Sequence, residues 1–326
     1  MKKWTGLFLV AAVCFTGGAA VAASHYITGM EVGDDDVLTL TYNPLPLNEG
    51  KNLDRMVKGE LDQDALDRFN EHRLHKLGKL EIETKAKIGD SELEAGEYTV
   101  GLSAKEGGKF AFVVWTGEGE EKTAQETPLE LKKIDETVKY MAFSLQPAWE
   151  GSGQWLGLAY GGYAAAIPVS VDGLAEDAEV KYLTGIAEEG DDILEITYNA
   201  TPYNEGETFE KMRAGDENMP KYFNDSPKFG KVGTFEVERG TTVGTLDAPP
   251  GEYPCGINVD AEGNFTYVGW DGDDKHSTKI ELVEHEMVVP HLVHIVTPAG
   301  TEGSNLRVIY GKYHADIPIG LGGAEE

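Results

Sequence analysis

The sequence predicts an all-β fold: two tandem antiparallel β-sandwich domains, Ig-like or jelly-roll-like, with a short helical insertion in the first. Three observations predict it. The first is internal repetition: Tyr42, Asn43, Pro46, Asn48, Glu49 and Gly50 return as Tyr198, Asn199, Pro202, Asn204, Glu205 and Gly206, about 156 positions later. Gly96-Glu97-Tyr98 returns as Gly251-Glu252-Tyr253, Trp115 as Trp270, and Tyr160-Gly161 with Ile167-Pro168 as Tyr310-Gly311 with Ile317-Pro318. Markers that keep their order while the offset drifts slowly are the sign of a duplication with loop insertions. The second observation is apolar-polar alternation at a period of two, the pattern of strands covered on one face. The third is the turn chemistry of Gly, Pro, Asn and Asp that separates these short runs.

Taken along the chain, residues 1–23 read as a secretory signal peptide. Lys2 and Lys3 supply the positive start, Leu7 to Phe15 the apolar run, and Ala20-Val21-Ala22 the small-residue cleavage pattern. The expected location is therefore exported, periplasmic or secreted, with no transmembrane segment after cleavage. Cys14 lies in this leader and Cys255 is the other cysteine, so the mature chain forms no internal disulfide and depends on core burial.

The first repeat is expected over 24–173. Leu38, Leu40 and Tyr42 share one strand face against Thr39 and Thr41. Leu53, Met56, Val57, Leu61, Leu66 and Phe69 break the strand pattern and predict one or two short helices between Asn52 and Lys76, interrupted near Gly59. Leu80 and Ile82 resume the alternation, and Ile88-Gly89-Asp90 and Ala95-Gly96 are turns. Phe110 to Trp115 is apolar on both faces and reads as a central strand. Further strands are expected at Thr99–Ala104, Leu129–Ile134, Lys139–Gln146, Leu156–Tyr160 and Ala164–Val171. The acidic stretch Asp172 to Glu179 marks the boundary. The second repeat, 180–322, retraces this order but keeps only Phe209 to Arg213 of the helical insertion, before Gly215 and Pro220.

These residues resemble a bacterial family of exported β-rich domains called DUF2911. The matching pieces are Tyr42 to Pro46, Ile88-Gly89 with Leu93-Glu94-Ala95-Gly96-Glu97-Tyr98, and Ile167-Pro168-Val169. In the second copy they are Val243-Gly244, Pro250-Gly251-Glu252-Tyr253 and Ile317-Pro318-Ile319. The family's Trp-Arg-x-Gly-Ala-Asn segment is replaced here by Arg-Leu-His-Lys-Leu-Gly over Arg73 to Gly78. The resemblance implies a fold and an envelope location, and no activity.

Charge narrows the partners. The chain holds 57 Asp and Glu against 28 Lys and Arg, a net charge of −29. Such a field repels phosphate backbones and anionic lipid, so nucleic acid and membrane surfaces are poor partners. It accommodates cations, basic partners or simple solubility.

Candidate sites fall into three groups. Trp149 and Trp155, with Tyr160 and Tyr163 after them, offer aromatic faces on which a sugar ring stacks or a partner protein packs. Asn48 with Glu49, and Asn204 with Glu205, are polar pairs repeated near predicted strand ends; Asn and Gly there also suit a plain turn. Asp271, Asp273 and Asp274 around Gly272 place carboxylates at a spacing that suits Ca²⁺. The same acidic-turn pattern follows Trp115 at Glu118, Glu120 and Glu121. Cleavage after Ala22 makes His25 the third residue, the position at which an imidazole joins the terminal amine and two amides around Cu²⁺, whereas cleavage after Ala23 makes His25 the second and removes this geometry. His291 and His294, three apart in a strand, face opposite sides and suit core positions better than a metal.

No nucleophile elbow, phosphate-cradling glycine loop or zinc-protease helix is present in the sequence. The reading is a non-catalytic exported binding or structural protein of the cell envelope, whose partner is a glycan or an envelope protein, with no cofactor predicted. The alternatives are a glycan-active hydrolase using carboxylates and an envelope protein that binds Ca or Cu.

Overall fold

The computed structural model describes residues 24–33, 35–47, 51–117, 122–148, 153–175, 178–188, 191–203, 206–299 and 303–321. Strand accounts for 62% of the structure and helix for 12%, which makes the fold all-β. The first half runs β1 (His25–Val32), β2 (Asp35–Tyr42), α1 (Lys51–Val57) and α2 (Gln63–Phe69). A π-helical turn over Asn70–Leu74 leads into β3 (Gly78–Ile82), β4 (Ala86–Ile88), β5 (Ser91–Leu93) and β6 (Gly96–Lys105). β7 (Lys109–Thr116), β8 (Thr123–Leu129), β9 (Lys132–Pro147) and β10 (Gln154–Val171) complete it.

The second half follows the same order. It runs β11 (Val180–Glu188), β12 (Asp191–Tyr198), α3 (Glu207–Ala214), α4 (Met219–Phe223), β13 (Gly233–Val237), β14 (Thr241–Val243) and β15 (Leu246–Ala248). β16 (Gly251–Val259), β17 (Phe265–Asp271), β18 (Asp274–Lys279), β19 (Val283–Pro298) and β20 (Ser304–Leu321) end it.

The strands make two layers. One 12-stranded sheet runs β18-β17-β16-β13-β12-β11-β1-β2-β3-β6-β7-β8, so the large sheets of both halves are joined edge to edge through β1 and β11. Two 4-stranded sheets, β5-β4-β10-β9 and β15-β14-β20-β19, lie over it. One contiguous core fills the space between, with Leu40, Leu80, Val100 and Phe112 from the first half and Ile196, Phe235 and Tyr267 from the second. Tyr42 meets Phe143 edge-on at 5.1 Å, and Phe112 meets the same ring at 6.3 Å, which fixes the spacing of the two layers.

The sequence predicts two tandem sandwiches without fixing how they adjoin, and in the structure their large sheets are continuous. The physical reason is visible in β1 and β11. Tyr26 to Met30 are buried on both strand faces, as are Tyr182 to Ala187. A strand buried on both faces belongs inside a sheet, and the only neighbour each lacks within its own half is the other. The seam is closed by Tyr26 Oη with Ser304 Oγ at 2.8 Å, and in the covering layer by the Glu286 amide donating to Asp135 at 2.9 Å and Arg307 donating to Glu136 at 2.6 Å.

Three local expectations are adjusted. Leu156–Tyr160 and Ala164–Val171 form one strand, β10, that bends at Gly161. Gly161 has φ +59, its counterpart Gly311 has φ +63, and a Cβ at Gly311 would lie 2.2 Å from Tyr203; only glycine suits that bend. Leu129–Ile134 is not one strand, since β8 ends at Leu129 and β9 begins at Lys132. The second half keeps a second helix, α4, because Pro220 lies in its first turn, where no backbone donor is lost.

Candidate functional site

A cleft of about 440 Å³ opens on the first half where α2 and the following turn cross β6, β7 and β8. Its formation begins with helix placement. Asp62 caps α2 by accepting from the Ala65 amide at 2.9 Å, and Gly59, at φ +67, lets the chain turn between the two helices. The end of α2 is then fastened to the sheet by Asn70. Its Nδ2 donates to the Ala104 carbonyl at 2.9 Å and its Oδ1 accepts from the Ala104 amide at 2.8 Å. The side-chain amide thus takes the place of a neighbouring strand on β6, and all partners are buried.

Trp115, at the end of β7, forms the aromatic wall. Its indole N–H donates to the His75 carbonyl at 3.0 Å, and the His75 ring stands edge-on to it at 5.3 Å. Lys122 Nζ lies 5.6 Å from the indole centroid. Burial holds the His75 pKa below its ordinary value, while Glu126, Glu71 and Asp67 pull the other way. The polar rim includes Gln63, Asp67, Ser103, Lys105, Glu106, Lys109 and Glu126. Gln63 donates to Asp67 at 2.6 Å, and Lys105 is ion-paired to Glu126. One flat aromatic face with a fixed edge, surrounded by carboxylates, ammonium groups and an amide, is suited to holding a polyhydroxylated ring.

The second half carries the same scaffold with a different lining. Asn224 clasps Val259 as Asn70 clasps Ala104, donating to its carbonyl and accepting from its amide, both at 2.9 Å. Trp270 ends β17 as Trp115 ends β7, and Lys231 Nζ lies 5.6 Å from its ring. Across the outer ladder Trp115 pairs with Ala124, whereas Trp270 pairs with Lys275. With its amide oxygen facing Lys275, Asn258 accepts from the Lys275 ammonium and donates to the Asn224 and Ile257 carbonyls at 3.2 Å. Asn258 stands where the first half has Ser103, each one residue before the clasped position.

The sequence-predicted residues fall elsewhere. Tyr160 and Tyr163 lie on β10 and are turned onto the chain itself. Tyr160 Oη donates to the Pro46 carbonyl at 3.0 Å, and Tyr163 Oη to Asp54 at 3.5 Å. Tyr310 repeats the first contact with Pro202 at 2.8 Å, and Tyr313 repeats the second with Glu210 at 3.0 Å. Trp155 is half-buried on β10, opposite Gln146. Trp149, Asn48, Glu49, Asn204 and Glu205 lie outside the described residues, as do Glu118, Glu120 and Glu121 and the signal segment 1–23.

Asp271, Asp273 and Asp274 are exposed on the β17–β18 hairpin, with Asp271 and Asp274 opposite each other. His25 begins β1 opposite Ala187. Among the described residues no three His, Cys, Asp or Glu side chains gather in a way that would hold a metal. His294 is a core residue, edge-on to Tyr198 at 4.5 Å. No helix among the described residues is long and apolar enough to cross a membrane.

Sequence reading passed over Asn70, His75 and the lining role of Trp115. A signal for the first was present, since Phe69-Asn70 returns as Phe223-Asn224. No protein-family model matches the chain, and neither a curated protein nor a solved structure matches it.

Proposed function

We propose that this is an exported, non-catalytic binding protein of the cell envelope that holds a glycan in the Trp115 cleft. The observation that carries the reading is the cleft itself: about 440 Å³ with one oriented indole and a rim of polar side chains. That volume lies within the roughly 300–1,000 Å³ of small-molecule sites. The fixed indole gives a sugar ring an apolar face, and Gln63, Asp67, Glu106 and Lys109 meet its hydroxyl groups. The location and the glycan rest on the leader-like start, the acidity of the chain and this chemistry together.

Intrinsic tryptophan fluorescence titrated with a panel of soluble oligosaccharides tests the reading. A saturable change that is lost in Trp115→Ala, with no shortened sugar appearing in the mixture, is the expected result. Retention of full affinity by Trp115→Ala, or the release of shortened sugars, overturns it.

A further inference from the structure

The contrast between the two halves identifies the chemistry of the ligand. We infer that the Trp115 cleft selects a glycan carrying a free primary amine, an amino sugar such as a glucosamine unit; this rests on the glycan reading above. In the second half the corresponding place is taken by the chain's own primary amine. Lys275 extends from the strand position that Ala124 holds in the first half, and its ammonium meets the side-chain amide of Asn258, which is 4% exposed. The stem lies at the surface while the head reaches the floor beside the clasp, as long amphipathic side chains do. The first half has the same floor and clasp but lacks the reaching side chain. Ala124 leaves the space open, and Ser103 presents a hydroxyl where Asn258 presents its amide.

Charge in the first cleft agrees with an incoming cation. Three carboxylates, Asp67, Glu106 and Glu126, line it with two lysines, Lys105 and Lys109, and a third, Lys122, stands beside the indole. Lys105 is spent on Glu126, and among the described residues neither Asp67 nor Glu106 forms an ion pair. The net charge of −29 raises the local concentration of cationic ligands further. Lys122 already places its ammonium 5.6 Å from the indole centroid, so the indole contributes a stacking surface for the sugar ring and the carboxylates receive the amine. A neutral N-acetylated sugar replaces the charged donor with a bulkier amide and forgoes the charge-assisted hydrogen bonds.

Isothermal titration of the full chain with glucosamine tetramer, its N-acetylated form and cellotetraose, in mildly acidic buffer that keeps the amine protonated, tests the inference. The amine form is expected to bind roughly tenfold or more tightly than either neutral sugar. Ala124→Lys, which installs the second-half residue in the first, is expected to abolish binding while its thermal melt stays that of the parent. Lys275→Ala is expected to raise the stoichiometry from one site to two. Equal affinity for the amine and N-acetylated forms overturns the inference and leaves the glycan reading standing. Unchanged binding in Ala124→Lys, or a single site in Lys275→Ala, also overturns it. Binding of an oligolysine peptide with no binding of any sugar overturns both.

Discussion

Thr28 and Thr184 face each other as direct partners across the β1–β11 ladder, and each is the other's counterpart in the two halves. Their hydroxyls do the same work: Thr28 Oγ1 accepts from the Leu145 amide at 2.7 Å, and Thr184 Oγ1 accepts from the Val296 amide at 2.9 Å. A residue that pairs with its own equivalent lies on an approximate two-fold axis. Asp135 and Glu286, which meet across the seam in the covering layer, occupy counterpart positions as well. Tyr26 and Tyr182, on either side of the axis, each reach into the opposite half, towards Ser304 and Gln154. The halves thus meet as two identical subunits of a dimer do, by one patch matched against itself.

The first prediction concerns this axis. Thr28→Val keeps the side-chain shape and leaves the buried Leu145 amide without its acceptor, at a cost of about 1–3 kcal/mol. Thr184→Val is expected to cost a similar amount through Val296. Because the seam runs through one sheet and one core, urea unfolding followed by circular dichroism and by tryptophan fluorescence should give coincident single transitions for both variants. Two separated transitions would show that the halves unfold independently.

One source of acid sensitivity should reside in the second half. Burial pushes the His294 pKa from 6.5 down to about 3, so the folded protein holds this imidazole neutral. The unfolded chain takes up the proton below about 6.5, and the folded chain does so only near 3. Stability from this residue is therefore complete above that window and falls with decreasing pH through it, by at most about 1.4 kcal/mol per pH unit. The first half places Phe143 at the same point, against Tyr42. His294→Phe should flatten the acid limb of a plot of melting temperature against pH. An unchanged limb would assign the acid sensitivity to other groups.

The repeated contacts were legible because the sequence kept both partners in both halves. Tyr160 with Pro46 and Tyr310 with Pro202 are visible as repeated letters, and they prove to be the same hydrogen bond made twice. Tyr98 and Tyr253 are similar, each donating at 2.8 Å to the carbonyl four residues earlier, at Glu94 and Pro249. The seam was hidden for a physical reason. Strand periodicity reports which face is buried and is silent on which edge is paired, and the partner of β1 lies far along the chain. The cleft was hidden for a different one. Ala124 against Lys275 and Ser103 against Asn258 are places where the halves disagree, and a search for sameness passes over them. Tyr160 and Tyr163 drew attention as exposed aromatic groups, whereas their hydroxyls are directed at the chain's own groups.

Asn70 ties stability to the cleft. Asn70→Ala leaves the amide and carbonyl of buried Ala104 unpaired, an expected loss of about 2–4 kcal/mol, and it releases α2 from the cleft wall. Binding should weaken along with the melting temperature. Asn224→Ala should destabilise through Val259 in the same way and leave affinity at the Trp115 cleft intact, because it lies in the other half. Equal loss of affinity in both variants would mean that the ligand does not sit in the first-half cleft.

The β10 tyrosines provide the opposite case. Tyr160→Phe removes a donor to the Pro46 carbonyl, in contact with the edge of the core, and should cost about 0.5–1.5 kcal/mol. Tyr163→Phe breaks a longer bond to Asp54 in an exposed setting, so its effect on stability should be near zero. Neither hydroxyl lines the Trp115 cleft, and glycan affinity in both variants should equal that of the parent chain. Measured by fluorescence titration beside Trp115→Ala, the pair separates the two aromatic surfaces of the first half. Loss of binding in Tyr163→Phe with retention in Trp115→Ala would move the site to the β10 face, where Trp155 also lies.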